Sequence, residues 1–415
     1  MTAQSPRRPN PSRIWRNVAS TCTGATLFLV CVALSFLFMA ATSAAQTLTT
    51  LTSFTSSDGY APIGSIARDS QGNSYGATQY GGAYGQGEVY QVASNGTLTV
   101  LHNFCPQPGC TDGGQPWGGL ILASDGNLYG TTLGTVYKIT PSGDLTTIYT
   151  FCSLSGCADG QTTYAPLVQG SDGNFYGTAL LGGIATQPCG GTCGTVFKLT
   201  PSGVLTVLHS FRGKDGFYPA AGLVQGTDGN FYGTTTLGGT HNLGTAFKVT
   251  PAGTFTLLHS FLTTDGSYST LFLQGSDGNF YGTSMFRGAQ NHGTVFRMTP
   301  SGTLTVLRAF NSNVGVNPNT LLQGADGNLY GTTGLNGSSG GTVFRMTLSG
   351  QLKTVYGFCS VTNCADGIAP TSIIQSGGIL YGATAEGGGN TCQVVGNTTS
   401  CGTVFSLTTN ASRKP

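Results

Sequence analysis

Asp228-Gly229-Asn230-Phe231-Tyr232-Gly233 is the stretch that decides the fold, because it returns along the chain at nearly constant spacing. The same phrase, with Phe or Leu in its fourth place, occupies Asp125–Gly130, Asp172–Gly177, Asp277–Gly282 and Asp326–Gly331. Weaker copies stand at Gly72–Gly76 (GNSYG) and Gly377–Gly382 (GGILYG). The glycine after the tyrosine therefore falls at 76, 130, 177, 233, 282, 331 and 382, at intervals of 47 to 56 residues. Seven units of about 50 residues match the blades of a propeller, each of which needs four strands and their connections.

One unit shows how the strands lie. Gly222–Gly226 reads as a short apolar strand A, and Asp228-Gly229-Asn230 supplies the positive φ of a tight hairpin. Phe231–Thr235 reads as strand B and Gly244–Thr250 as strand C, followed by a Pro251-Ala252-Gly253 turn. Thr254–Phe261 alternates apolar residues as strand D. The glycine inside strand B weakens it intrinsically and is read as a place where a neighbouring blade comes close.

The repeat phase at the two ends closes the ring. Thr47–Phe54 is a D-type strand with no blade of its own, and the last repeat stops at its C-type strand, Gly402–Thr408. The first strand therefore completes the last blade and leaves no bare edge. The expectation is an all-β, seven-bladed β-propeller over residues 46–409, with a short tail at 410–415.

Composition agrees. Only 8% of the residues are charged and 66 are glycine, which excludes a long helical or coiled-coil protein. A formal net charge of +2 without a basic stripe excludes nucleic acid as a partner. Residues 1–45 differ from the rest: Arg7, Arg8, Arg13 and Arg16 precede the apolar run Ala25–Ala41, and Ser43-Ala44-Ala45 offers a cleavage site. That is the layout of a secretory signal peptide, with an uncleaved anchor as its rival. The expectation is a secreted or periplasmic monomer with no membrane contact after cleavage.

Repeats of the form SDGNFYGTT…GTVFKLTPSGTLTVLHSF resemble the GloVer tandem repeats of the choice-of-anchor group of exported bacterial proteins, over residues 47–408. The resemblance implies export and a repeat array, and carries no activity with it. A weaker likeness, at the level of DGNLY…TPSG, is to the virginiamycin B lyase and gluconolactonase-like propellers.

In such blades the A–B and C–D turns share one face, and here they are monotonous. The B–C and D–A connections share the other face and hold nearly all the variation, so the binding site is expected there. Setting aside Cys22 and Cys31 of the leader, ten cysteines form five close pairs. Cys105 pairs with Cys110, Cys152 with Cys157, Cys189 with Cys193, Cys359 with Cys364 and Cys392 with Cys401, all on the variable face. Disulfides are expected rather than a metal site, in keeping with export, and they are read as stiffening surface loops. His102, His209 and His259 share one strand-D position with Thr52, Tyr149, Arg308 and Tyr356, which reads as a tolerant packing slot. Asp58, Asp112, Asp159, Asp215, Asp265 and Asp366 recur as Asp-Gly in D–A loops. They form the candidate ligand-binding face, able to take a divalent cation such as calcium, against a plain turn-forming role. His241, His292 and Glu386 lie in B–C loops and are the weak catalytic candidates for metal-assisted chemistry. No required cofactor is expected. The functional expectation is a binding module for a glycan, peptide or envelope partner, with a metal-assisted lyase or lactonase-like hydrolase, or a purely structural envelope protein, as alternatives.

Overall fold

The computed structural model describes residues 46–184, 189, 192–313, 315–334, 340–394 and 397–409. The expected signal segment and the tail lie outside these residues. Seven four-stranded antiparallel sheets form a seven-bladed propeller, as the repeat predicts. In blade 4 the strands are A Val224–Gln225, B Phe231–Thr234, C Thr245–Val249 and D Phe255–Ser260. Strand A is shorter than expected because only Val224 and Gln225 find ladder partners, in Tyr232 and Phe231. Blade 7 takes Ile368–Ser376, Ile379–Glu386 and Thr403–Thr408 as strands A, B and C. Its strand D is Leu48–Ser53, which pairs antiparallel with Thr403–Thr408, so the first strand does close the ring. A two-stranded ribbon, Thr391–Val394 with Asn397–Ser400, stands in its B–C loop.

The core lies between blades. A phenylalanine just past each strand D meets the strand-C aromatic of the next blade: Phe104–Tyr137, Phe151–Phe197, Phe211–Phe247, Phe261–Phe296, Phe310–Phe344 and Phe358–Phe405. The ring centroids are 5.1 to 5.4 Å apart, mostly edge to face. Phe54 makes the same contact with Tyr90 of blade 1 at 4.9 Å, across the seam where the ring closes. Each such pair contributes about 0.5–1.5 kcal/mol beyond the area it buries.

This packing corrects the reading of the strand-B glycine. A Cβ on Gly233 would stand 2.6 Å from Cζ of Phe247, and one on Gly177 2.6 Å from Cζ of Phe197. The close neighbour is the strand-C ring of the same blade, paired directly across the ladder. The adjoining blade is reached only through that ring.

The repeated DGN phrase ties blades together on the opposite side. The Asp125, Asp172, Asp228, Asp277 and Asp326 carboxylates accept hydrogen bonds from Tyr129, Tyr176, Tyr232, Tyr281 and Tyr330 at 2.7 to 3.0 Å. Three of these tyrosines lie against the strand-B phenylalanine of the next blade, most closely Tyr176 on Phe231 at 3.7 Å. Glutamines of strand A then bridge blades: the Oε1 atoms of Gln169, Gln225, Gln274, Gln323 and Gln375 accept the turn amides of Ser124, Ser171, Thr227, Ser276 and Ala325. At the seam Arg68 replaces the glutamine and sits 3.7 Å over the Tyr381 ring.

Gly233→Ala is expected to lower stability by about 1–3 kcal/mol through overpacking against Phe247. Gly134→Ala, where an added Cβ meets open space, should change it by about 0.5 kcal/mol or less. Urea unfolding midpoints of the two variants check this, and equal midpoints would count against the account.

Candidate functional site

The variable face is built from seven D–A loops made to one plan. In five of them the Asp of Asp-Gly is bound by the polar strand-D residue that precedes its loop. His102–Asp112, His209–Asp215 and His259–Asp265 meet at 2.8, 2.8 and 2.9 Å. Tyr149 and Tyr356 donate to Asp159 and Asp366, each at 2.8 Å. The same carboxylates accept loop amides: Cys105 on Asp112, Ser153 on Asp159, Arg212 on Asp215, Leu262 on Asp265 and Ser360 on Asp366. The strand-D slot is therefore not a tolerant packing position. It supplies the donor that fixes the loop aspartate, and two motifs that look independent in the sequence are one unit. Where Val314 precedes the glycine in place of the Asp, the slot holds Arg308, whose buried Nε has no partner among the described residues. Asp58, preceded by the shorter Thr52, accepts from the amide and hydroxyl of Thr55 instead.

Geometry around the Asp explains the glycine beside it. Gly216 has φ +111°, and a Cβ there would lie 2.4 Å from the hydroxyls of Thr235 and Thr245. Those hydroxyls bond each other at 2.9 Å, and Thr245 also donates to the Asp215 carbonyl. Two residues further on, every D–A loop carries a non-glycine residue with positive φ: Ala61, Gln115, Thr162, Tyr218, Tyr268, Asn317 and Ala369, at +51° to +58°. The amides of Ala61, Gln115, Tyr218, Asn317 and Ala369 donate to B–C loop carbonyls of the preceding blade. These inter-blade bonds offset a backbone cost of about 1 kcal/mol per residue. They set the loop entries at fixed positions around the channel mouth.

Burial would raise the Asp215 carboxyl, but hydrogen bonds from His209 and the Arg212 amide outweigh it and hold it below the usual carboxylate value. Asp265 behaves likewise through His259 and the Leu262 amide, and Asp159 through Tyr149 and Ser153.

All five expected disulfides are present, and their role differs from the simple stiffening of surface loops expected of them. The D–A loops hold Cys105 with Cys110, Cys152 with Cys157 and Cys359 with Cys364. All six cysteines have positive φ. The second cysteine of each pair is half-buried, and its carbonyl accepts the amide of the Asp-Gly glycine. Cys110 takes Gly113 at 2.8 Å, Cys157 takes Gly160 at 2.9 Å and Cys364 takes Gly367 at 2.9 Å. These three bridges therefore hold the Asp-Gly corner itself. The B–C loops hold Cys189 with Cys193 and Cys392 with Cys401. Cys193, Cys392 and Cys401 are fully buried and Cys189 nearly so, within clusters that join neighbouring blades. Those two bridges belong to the core as well as to the surface loops.

The catalytic candidates are distributed over three blades. His241 is exposed and bonds Thr240; the carbonyl of His292 takes the Asn317 amide; Glu386 ends strand B of blade 7. Among the described residues no group of three His, Cys, Asp or Glu side chains is placed to hold a metal.

Sequence reasoning missed the aromatic residues that follow Asp-Gly. Tyr60 meets Tyr80, Trp117 meets Tyr164, Phe217 meets Tyr218 and Tyr268 meets Phe286, at 4.8 to 5.6 Å between centroids. Tyr268 and Phe286 are each 41% exposed, and the other six are half-buried. The signal was available: each pair has an aromatic residue within five positions of a D–A Asp-Gly. One of these rings, Tyr164, reaches a channel cavity of about 270 Å³, lined also by Pro166, Asn319, Thr371 and Ile373 among others, without a charged side chain.

The sequence profile of the Gloeobacter/Verrucomicrobia repeat matches residues 36–187 and 181–396. No curated protein matches. Among solved structures, the extracellular domain of a hybrid two-component system from Bacteroides thetaiotaomicron is similar at TM-score 0.54 and 13% identity, over 88% of this chain. This chain spans 42% of that one. A protein assigned as a 6-phosphogluconolactonase from Bacteroides uniformis gives TM-score 0.50 and 14% identity, over 75% of this chain and 88% of that one. A gluconolactonase from Xanthomonas campestris gives 0.43 and 18%, over 71% and 90%. At these identities the likeness shows the fold alone.

A double-mutant cycle on His209→Ala and Asp215→Ala should return a coupling of about 1–3 kcal/mol, because the bond is charge-assisted and half-buried; additivity would refute the pairing. The depressed aspartates stabilise the fold above the ordinary carboxylate pKa of about 4, and that contribution is lost as pH falls through their lower folded values. Thermal unfolding between pH 6 and 2 should show this acid loss, reduced in Asp215→Asn.

Proposed function

The chain belongs to the Gloeobacter/Verrucomicrobia repeat family, and from that premise we propose that it is an extracytoplasmic binding module whose loop face takes a carbohydrate chain. The observation that carries the reading is the set of four aromatic pairs around the channel mouth. A pyranose ring presents a face of C–H groups and an equator of hydroxyls. Half-exposed Tyr and Trp rings offer the apolar surface for the first, and their polar tips serve the second. Hydroxyl and amide groups such as Asn319 and Thr371 line the channel cavity that Tyr164 reaches, and no charge there favours an ionic ligand. Four pairs spread over blades 1 to 5 suit a polymer, since successive weak contacts multiply when they are linked. The left-handed loop entries and the disulfides hold these rings in place before binding, which lowers the ordering cost.

Five disulfides agree with an oxidising compartment, and among the described residues no helix is long and apolar enough to cross a membrane. Secretion through the leader at residues 1–45 completes the proposal.

Affinity electrophoresis against neutral and acidic polysaccharides tests it. At least one neutral polymer should retard the protein, and Trp117→Ala and Tyr164→Ala should each weaken retardation about 10-fold with unchanged melting temperature. Retardation by none, or retardation indifferent to both substitutions, would sink the carbohydrate reading.

A further inference from the structure

Blade 1 breaks the repeat at one buried position. Strand C opens with Thr135, Thr195, Thr245, Thr294, Thr342 and Thr403 in the other six blades, and with Glu88 here. In five of these blades the threonine bonds a strand-B-side hydroxyl, as in Thr132–Thr135 and Thr384–Thr403 at 2.8 Å, or donates to the loop Asp carbonyl, while the Thr195 hydroxyl of blade 3 has no partner among the described residues. As a carboxylate Glu88 cannot donate to the loop carbonyl, and it makes no bond with the hydroxyl of Thr78 opposite it. It is 0% exposed, and among the described residues neither of its oxygens has a hydrogen-bond partner. Across the ladder it faces Thr78, whose buried Oγ1 is also without a partner, and Asn103. The strand-D position of Asn103 is held by Thr150, Ser210, Ser260, Ala309, Gly357 and Ser53 in the other blades. The larger, oxygen-bearing residue therefore comes together with the carboxylate.

The cradle is closed by the B–C loop. A Cβ on Gly82 would lie 2.6 Å from Asn103 Oδ1 and 2.9 Å from Glu88 Oε2, so both oxygens converge beneath that glycine. Asn103 Oδ1 takes the Ala83 amide at 2.7 Å and keeps a second lone pair. The Asp58 charge acts on Glu88 from the D–A side; burial first, and Asp58 second, push the Glu88 carboxyl up to about 8. Among the described residues no ion pair reaches it. Without a cation the buried group holds its proton; ionised, it costs several kcal/mol unless a positive charge enters with it.

We propose that Glu88, Asn103 and Asp58 form a binding site for one hard divalent cation of the calcium class, between the B–C and D–A loops of blade 1. Every donor is oxygen, from carboxylate, amide carbonyl and the Thr78 hydroxyl, which is the set such cations select over softer metals. The site shares its two loops with the Tyr60–Tyr80 pair: Tyr60 follows Asp58 by two residues and Tyr80 precedes Gly82 by two. Its occupant would fix the two loops that carry those rings. The inference stands whether or not the loop face binds carbohydrate.

The test uses the purified protein, stripped with chelator and titrated in a calorimeter with calcium chloride alone in mildly alkaline buffer. One calcium per chain is expected, with a dissociation constant on the order of 10⁻⁴–10⁻³ M, as in extracellular modules, and a rise in melting temperature. Glu88→Thr installs the residue of the other six blades, so it should fold, and it should lose both responses. Asp58→Asn should weaken binding at least about 10-fold. Asp144→Asn, at a C–D turn on the opposite face, should behave as wild type. No heat and no melting shift in the wild type, an undiminished response in Glu88→Thr, or an equal loss in Asp144→Asn would each overturn the site.

Discussion

Seven edge-on contacts between rings hold this propeller together. Each joins a phenylalanine at the end of one strand D to the strand-C aromatic of the following blade, and the last joins Phe54 to Tyr90. A strand-C ring can turn toward the preceding blade only if nothing crowds it from its own sheet. That is why strand B carries glycine directly opposite, at Gly177, Gly233 and their equivalents. The sheet accepts a weak β-former there in exchange for inter-blade packing. A blade alone would leave both its faces bare, so the stability of each unit depends on its neighbours.

With the blades joined this way, the two faces become free to differ. On the DGN face, Tyr bonds the turn Asp of its own blade and the strand-A glutamine accepts the turn amide of the preceding blade, so a change in the turn is felt by two units. On the other face, the Asp-Gly corner is anchored by strand D behind it and by the threonine pair beneath it. Between those anchors the loops differ in length, in cysteines and in aromatic residues while the ring of blades keeps one plan. The aromatic pairs occupy this permissive layer, on loop entries whose left-handed residues are held by the preceding blade. Rigid support below and free chemistry above is a physical arrangement suited to recognition.

The pattern departs from itself within blade 1 and at its seam with blade 7. Arg68 of blade 1 stands for the bridging glutamine on the DGN face, Thr52 in strand D of blade 7 for the histidine or tyrosine, and Glu88 of blade 1 for the threonine. The first of these serves ring closure, since Tyr381 lacks a turn aspartate and receives a cation on its face instead. The Glu88 change has no such packing reward. A local rule broken without structural gain is the kind of site where function is to be sought.

The sequence by itself determined the number of blades, the order of strands, the closure by Thr47–Phe54 and the placing of all five cysteine pairs on one face. These depend on repeat phase and on short-range turn chemistry, which a linear reading carries in full. It could not join the strand-D slot to the Asp of the following loop, because a bond such as His209–Asp215 depends on how the chain curls between them. For the same reason it missed that the carbonyls of Cys110, Cys157 and Cys364 hold the Asp-Gly glycines, and that Cys193 and Cys401 are core residues. It also assigned the strand-B glycine to the wrong neighbour, since spacing shows that room is needed and not which ring fills it. Tertiary structure alone decided which half-exposed rings meet around the channel and that both oxygens of Glu88 are buried without partners. Both outcomes follow from contacts between strands and loops that only the closed ring brings together.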